Sequence, residues 1–309
     1  KMVNSSCPVC KTSANTKSTL FNLQKDNHHF NVVNCISCSH VFTYFNDEIE
    51  IQEYYDDKDY AVKDTRKSIF YKIQEREYNN VLLNIKKLSI KKQNISLLDF
   101  GAGKGLFLNF ANKLGYTTKG VETSLPRAAY AKKVFNLDIS TLNYEEGLIF
   151  DSKFEVVTIL HVLEHLTHPK ELLNKLLKAN LIQNGIVVIE VPNFDSWQSK
   201  WASKHWIHLD IPRHINHFTP KYLKGMLPSN FEVIKEEYFS LHLGIIGMMQ
   251  SIWNWFGYKG FLIADLKHKP TLFLMLKIVI SLPFAFLLEG LASLFKKGGI
   301  ARIYLRDIS

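Results

Sequence analysis

The chain has 309 residues, 46% of them hydrophobic and 22% charged, with a formal net charge of +9. It is long enough for one large domain plus a small one and apolar enough to bury a sizeable core, which excludes a low-complexity chain. Its lysines are scattered rather than gathered with aromatics on one stripe, which argues against a zinc-ribbon nucleic-acid-binding protein.

Residues 1–45 read as short strands around two cysteine pairs, Cys7-Pro8-Val9-Cys10 and Cys35-Ile36-Ser37-Cys38. The first thirty residues carry no apolar run of a secretory leader, so a cytoplasmic, reducing setting is expected. Four thiols in two C-x₂-C knuckles then point to one tetrahedral zinc held by Cys7, Cys10, Cys35 and Cys38. The spacer is longer than the typical ~15–20 residues, which a hairpin absorbs. A zinc with four protein ligands is a folding staple and does no chemistry itself. The alternative, a redox pair, lacks a thioredoxin-like context. Residues 46–94 read as a helical linker, with Ile69, Ile73, Val81, Leu82 and Ile85 near helical spacing.

From residue 95 the pattern is apolar strand, turn, helix, repeated. Strands are expected at 96–100, 117–122, 154–160, 185–191, 231–239 and 300–305, and helices at 105–114, 126–135 and 169–177. This alternation implies an α/β fold with a parallel sheet covered on both faces. The first strand ends in Asp99 and runs into Gly101-Ala102-Gly103-Lys104-Gly105, a turn whose glycines let the backbone approach a ligand ahead of a helix N-terminus. Glu122 and Thr123 end the next strand, where a carboxylate can accept two hydrogen bonds from a ribose diol. Nicotinamide oxidoreductases use a related turn, but with Gly-x-Gly-x-x-Gly spacing rather than the Gly-x-Gly-x-Gly found here. The bland reading makes Asp99 a helix cap and Glu122 a surface acid.

The segments Leu98–Gly105, Val121-Glu122, His161-Val162-Leu163-Glu164-His165-Leu166, Ile189-Glu190-Val191-Pro192-Asn193 and Pro212–Thr219 occur in this order over nearly half the chain. Together they resemble class I S-adenosylmethionine-dependent methyltransferases, in the group called methyltransferase type 23 or ubiquinone-methyltransferase-like. The resemblance implies a Rossmann-like seven-stranded sheet over 95–309 whose last strand is antiparallel, with 241–298 inserted between strands six and seven. It implies that Asp99, Gly101, Ala102, Gly103, Glu122, Thr123 and His161 bind the cofactor, and that the segment Leu142-Asn143-Tyr144-Glu145, which lacks the usual aspartate, flanks the adenine. N-terminal ribbons of this kind resemble those of sugar C-methyltransferases, which makes a sugar C-methyltransferase the alternative enzyme reading.

Seven of the twelve histidines fall between 161 and 217. If the acceptor is a hydroxyl, a base must take its proton, and histidine titrates near working pH. His165, His214 and His217 are the candidate bases, and Arg213 could orient an anionic group. Some relatives bind a divalent metal through a similar Glu-x-x-Glu-His, which implies a second metal site at His161, Glu164 and His165. Two other readings stay open: metal-free acid–base chemistry, or Glu164 and His165 simply holding the 212–219 loop. Trp197, Trp201 and Trp206 either pack a helix onto the domain or wall an aromatic or sugar pocket.

The insertion is strongly apolar, and its 272–295 run is long enough to span a bilayer. Pro283, Lys277 and Glu289 interrupt it, and the last strand must return to the sheet on the same side. It reads as a helical hairpin that covers the substrate cleft, lies in a membrane interface, or buries against a second subunit. The flanking Lys267, Lys269, Lys296 and Lys297 suit an anionic membrane surface. The expectation is a methyltransferase acting, through oxygen, on a small or lipid-linked acceptor. It would be cytoplasmic, peripheral on the inner face of the membrane, and would bind no nucleic acid.

Overall fold

The computed structural model describes residues 6–13, 17–55, 62, 64–142, 150–268 and 270–309. Three antiparallel strands come first, β1 (Lys17–Lys25), β2 (His28–Cys35) and β3 (Val41–Phe45). Asp26 and Asn27, both at positive φ, form the two-residue turn between β1 and β2, the backbone such a tight hairpin needs. Then α1 (Ile69–Leu88) starts at Ser68, whose side chain accepts from the Tyr71 amide. Val81, Leu82 and Ile85 on its inner face are fully buried. The stretch read as a linker thus supplies part of the cover of the main sheet.

That sheet has seven strands in the order β10-β11-β8-β7-β4-β5-β6. They are β4 (Ser96–Phe100), β5 (Thr117–Val121), β6 (Ile139–Ser140), β7 (Phe154–Leu160), β8 (Leu181–Pro192), β10 (Phe231–Glu237) and β11 (Ile300–Asp307). β4 to β8 are parallel, and β11 runs antiparallel to both β8 and β10. This is the class I methyltransferase arrangement. The helices α2 (Leu106–Lys113), α3 (Leu125–Phe135) and α4 (Pro169–Asn180) make the crossovers. Alternation along the strands separates two cores. Val157, Val187 and Ile189 face Leu173 and Leu176 of α4, while Leu97, Val156 and Val188 face α1 and α2. Because both faces are covered, the central strands are apolar throughout. β4 pairs with β5 on one side and β7 on the other, so the chain winds away in opposite directions and leaves a crevice at their C-terminal ends.

Past β8 come α5 (Trp197–Ala202), a two-residue strand β9 (Asn216–His217) and α6 (Pro220–Gly225). β9 does not join the large sheet. It pairs with β3 and becomes the fourth strand of the N-terminal sheet, through Val41 opposite His217 and Phe42 opposite Asn216. Between β10 and β11 stand α7 (Leu243–Trp255), α8 (Leu262–His268) and α9 (Leu272–Leu294). Trp197 and Trp201 stack at 5.9 Å and pack onto this insertion, and buried Trp206 donates to Gln198 (3.3 Å), so all three tryptophans serve packing.

Candidate active site

The glycine turn lies at the crevice. Gly101, Gly103 and Gly105 have φ of 87°, 54° and 75°, a region closed to most side chains. A side chain on Gly101 would collide with Val162, whereas one on Gly103 would meet nothing among the described residues, so among them the turn is tight against β7's exit on one side and open on the other. Gly105 starts α2, whose first amides face this opening. The Glu122 carboxylate accepts from the amides of Gly103 (2.9 Å) and Ser124 (2.8 Å), bringing the ends of β4 and β5 together. Thr123 beside it is exposed, and Ala102 is buried beneath the turn. Asp99 is 3% exposed. Burial pushes its carboxyl up to about 7, against a hydrogen bond from the Thr158 hydroxyl (2.6 Å). Of the segment 142–145, only Leu142 lies within the described residues.

Next to this turn, β7 ends and His161 takes a φ of 57°. Its Nδ1 lies 3.2 Å from Glu164 and its Nε2 2.9 Å from Glu190. Burial disfavours its charge, but hydrogen bonds to the two carboxylates outweigh that and hold it up at about 10. With both nitrogens donating, His161 is an imidazolium that can neither ligate a metal nor act as a base at neutral pH. The ligand set His161, Glu164 and His165 is therefore corrected at its first member.

His214 stands in that place. One ligand-capable atom from each of Glu164, His165 and His214 lies within 4.8 Å of the other two. His165 Nδ1 is 3.0 Å from the Arg213 carbonyl, and His214 Nδ1 is 2.8 Å from the His208 carbonyl. Carbonyls only accept, so each Nδ1 donates to one; the Tyr55 hydroxyl also meets His165 Nδ1 (3.1 Å), and His214 Nε2 lies 3.8 Å from Asp210. Burial, then repulsion from His214, lowers His165 to about 4, so it is neutral at pH 7. Glu164 is 1% exposed; its Oε1 accepts from His161, and among the described residues its Oε2 has no hydrogen-bond partner. Glu164, His165 and His214 thus converge in one largely buried place.

Residues 72–236 match the model of a family described as a methyltransferase domain, just over half of the chain. The chain belongs to this methyltransferase family. Several solved structures are similar to the methyltransferase. The plantazolicin methyltransferase BpumL in complex with SAH is 15% identical, with 84% of this chain and 93% of that chain covered and a TM-score of 0.48. Coclaurine N-methyltransferase bound to N-methylheliamine and SAH is 14% identical, with 74% and 72% covered and a TM-score of 0.45. The cyclopropane synthase MmaA2 from Mycobacterium tuberculosis is 16% identical, with 74% and 83% covered and a TM-score of 0.46. A comparison with curated proteins found no match.

Membership makes the chain an S-adenosylmethionine-dependent methyltransferase, and its residues fit that cofactor: an open glycine cradle at Gly103, helix amides behind it and a carboxylate at the end of β5. The two other expected catalytic residues lie elsewhere. His217 is 4% exposed and donates from Nε2 to the Thr43 hydroxyl (2.9 Å), whose own proton goes to the His214 carbonyl (2.7 Å). Arg213 is held by Asp210 (2.5 Å) rather than presented to an acceptor. Both residues build the loop. Glu190 and Arg302, which reading by motif left without a role, form the floor beneath His161. Arg302 bonds Glu190 and, at 3.0 Å, Glu77 of α1. A charge inside an otherwise apolar strand is the signal that could have found them.

The methyltransferase's four cysteines meet at one point. Cys7 and Cys38 sulfurs lie 3.7 Å apart, Cys10 and Cys35 sulfurs 3.6 Å apart, and no disulfide forms. A tetrahedral zinc with Zn–S bonds of about 2.3 Å requires S···S edges of about 3.8 Å, so the donor set fits zinc. Tyr222 of α6 donates to Cys38 (3.4 Å) and stacks on His40, which ties this site to the main domain.

Proposed function

We propose that this methyltransferase transfers a methyl group to a hydroxyl of a small or lipid-linked acceptor, with Glu164, His165 and His214 as the centre that receives the acceptor's proton. S-adenosylmethionine, when bound, supplies the electrophilic methyl. Gly101, Ala102 and Gly103 would cradle its methionine part with Asp99 beneath, and Glu122 and Thr123 would hold the ribose hydroxyls. The single observation that carries the reading is the convergence of Glu164, His165 and His214, one ligand-capable atom of each within 4.8 Å of the other two, with Glu164 Oε2 free of hydrogen-bond partners among the described residues. A hydroxyl proton satisfies such a triangle; an amine arriving as ammonium would find the His161 imidazolium close by. Neutral His165 is the base, and Glu164 stabilises the imidazolium that forms.

The same triangle supports a second reading. Two imidazoles and one carboxylate suit a divalent zinc, iron or manganese ion with open positions, and the carbonyl bonds on both Nδ1 atoms orient the rings as in metal sites. Such an ion would supply Lewis acidity.

The test uses methyl-labelled S-adenosylmethionine and a panel of hydroxyl, amine and carbon acceptors, free or in vesicles. Label should appear as methyl ether. His165→Ala should slow transfer by about 10²–10⁴-fold while cofactor affinity, read by calorimetry, stays within twofold. Label found only on nitrogen or carbon would overturn oxygen transfer. A collapse in cofactor affinity would make His165 part of the cofactor site instead.

A further inference from the structure

Among the described residues, one side of the insertion has no protein cover. α9 lies against α7 in the opposite direction, with Glu289 beside Gly244 and Lys277 Nζ 4.1 Å from the Trp253 ring. Its inner face, through Ile278, Ala285, Leu288 and Ala292, packs on Met248, Met249 and their neighbours. Every exposed residue of α9 is apolar; Phe273, Val279, Ile280, Phe284, Leu287 and Leu294 are all more than 60% or just 60% exposed. Its two charges, Lys277 and Glu289, are turned inward, and fully buried Glu289 accepts from Gly299 (2.8 Å) and Gln198 (2.6 Å).

A 23-residue helix is about 35 Å long, so the bare strip far exceeds the patches monomers expose to water. Its chemistry selects the occupant. Protein interfaces carry about one hydrogen bond per 100–200 Å², and the exposed side chains of this helix offer neither donor nor acceptor. Hydrocarbon asks for neither. The rim suits a lipid headgroup layer: Trp201 and Trp255 meet at 5.8 Å, and Trp197 and Phe295 at 5.9 Å. At the same end, His205, whose carbonyl accepts from Gln250 of α7, lies near Lys204 and Lys259, a cationic cluster that complements anionic lipid. By length and composition α9 could cross a bilayer. A span, however, needs lipid on all sides, whereas one side of α9 is packed on α7 and its end leads within a few residues into β11, between β8 and β10.

We propose that the outward face of α9, lying flat, is a monotopic docking surface for an anionic leaflet, and that the groove it forms with α7 takes acyl chains. That groove, of about 410 Å³, runs between Ile252, Trp253 and Phe256 on one wall and Ile280, Phe284 and Leu288 on the other. Docking also places the active site. His208 donates to the Leu243 carbonyl in the first turn of α7 (3.1 Å), and its own carbonyl fixes His214. The loop that carries His208 and His214 then sits directly on the docked insertion, and an acceptor with a long apolar tail is the substrate class this favours. This last consequence rests on the reading of the histidine centre; the docking itself does not.

The experiment is flotation of the full zinc-loaded chain with phosphatidylcholine/phosphatidylglycerol vesicles and with phosphatidylcholine alone, for the natural chain and for Ile280→Glu/Phe284→Glu. The natural chain should float, several-fold better with phosphatidylglycerol, and the double variant should bind at least tenfold more weakly. Cofactor affinity, measured alongside, should be equal in both, because neither position is near the cradle; Leu287→Glu on the same face serves as a second variant. Equal flotation of natural chain and variants overturns the proposal. So does a natural chain that does not float; if it is also a dimer that the variants convert to monomer, a second copy covers this face. Failure of both chains to bind S-adenosylmethionine would refute the cofactor assignment, and flotation would still decide the docking.

Discussion

Gly101 and Gly103 differ in what surrounds them, and the difference can be measured. Gly101 combines a φ of 87° with Val162 against its α-carbon, so Gly101→Val should abolish calorimetric cofactor binding. Gly103→Ala meets no protein atom. It should cost roughly 1 kcal/mol of stability through its φ, yet still weaken the cofactor if the open cradle is where the cofactor lies. Undiminished affinity in both variants would remove the cofactor from this turn. The placing of the glycines, Asp99 and Glu122 at one crevice was legible in sequence because they sit at strand ends that lie close along the chain. The roles of His161 and His214 were not. They depend on which partners arrive at the ring nitrogens, and Glu190, Arg213 and His208 are brought there by packing.

At the scale of elements, the 212–219 loop and the zinc-site sheet are one unit. Thr43 of β3 accepts from His217, donates to the His214 carbonyl, and takes the Ile215 carbonyl with its amide (2.8 Å). Asn216 in turn donates to the carbonyls of Leu163 (3.2 Å) and Leu166 (2.6 Å), which flank Glu164 and His165. The zinc staple therefore reaches the candidate active site through four residues of β9 and its neighbours. Metal analysis should find one zinc per chain. Cys35→Ser should lower that content and slow methyl transfer, with cofactor affinity nearly intact because the glycine turn lies on other strands. Metal-free protein as isolated would refute the zinc site, and full transfer by zinc-depleted protein would refute the coupling. A two-residue strand pairing far from its neighbours in sequence has no periodicity to announce it, which is why β9 escaped notice.

The whole molecule carries a set of buried ionisable groups whose signs can be added. Burial lowers His40 and His165 to about 4, His208 to about 3 and His217 well below its ordinary value, so each is neutral in the fold while the unfolded chain protonates near 6.5. Between pH 6.5 and 4.5 the unfolded state takes up these four protons first, which destabilises the fold. Asp99 and Glu289, both pushed up to about 7 by burial, act in the opposite sense over that range, because there the folded state binds protons first. The net difference of two groups amounts to about 3 kcal/mol per pH unit, several degrees of Tm. His161, raised to about 10, stabilises fully below 6.5 and loses that contribution only as pH rises through 10. Thermal unfolding of zinc-retaining protein should show Tm falling from pH 6.5 to 4.5; a flat or rising profile would show that these rings are not buried and neutral.

The sequence by itself determined the alternating strands and helices of a parallel sheet, the glycine turn and the cysteine knuckles, since each is written in residues close along the chain: apolar runs, helical spacing, glycine runs, paired cysteines; the seventh strand and the antiparallel edge came from the family resemblance. Only the tertiary structure decided which histidines converge with Glu164 and which hold a loop. It alone showed the floor of Glu77, Glu190 and Arg302, joined across 225 residues of chain. The insertion was legible as apolar, but not which of its faces would stay bare, because that depends on how much of α9 the short helix α7 can cover. Composition records how much apolar surface a chain has; three-dimensional packing alone determines how much of it is left over.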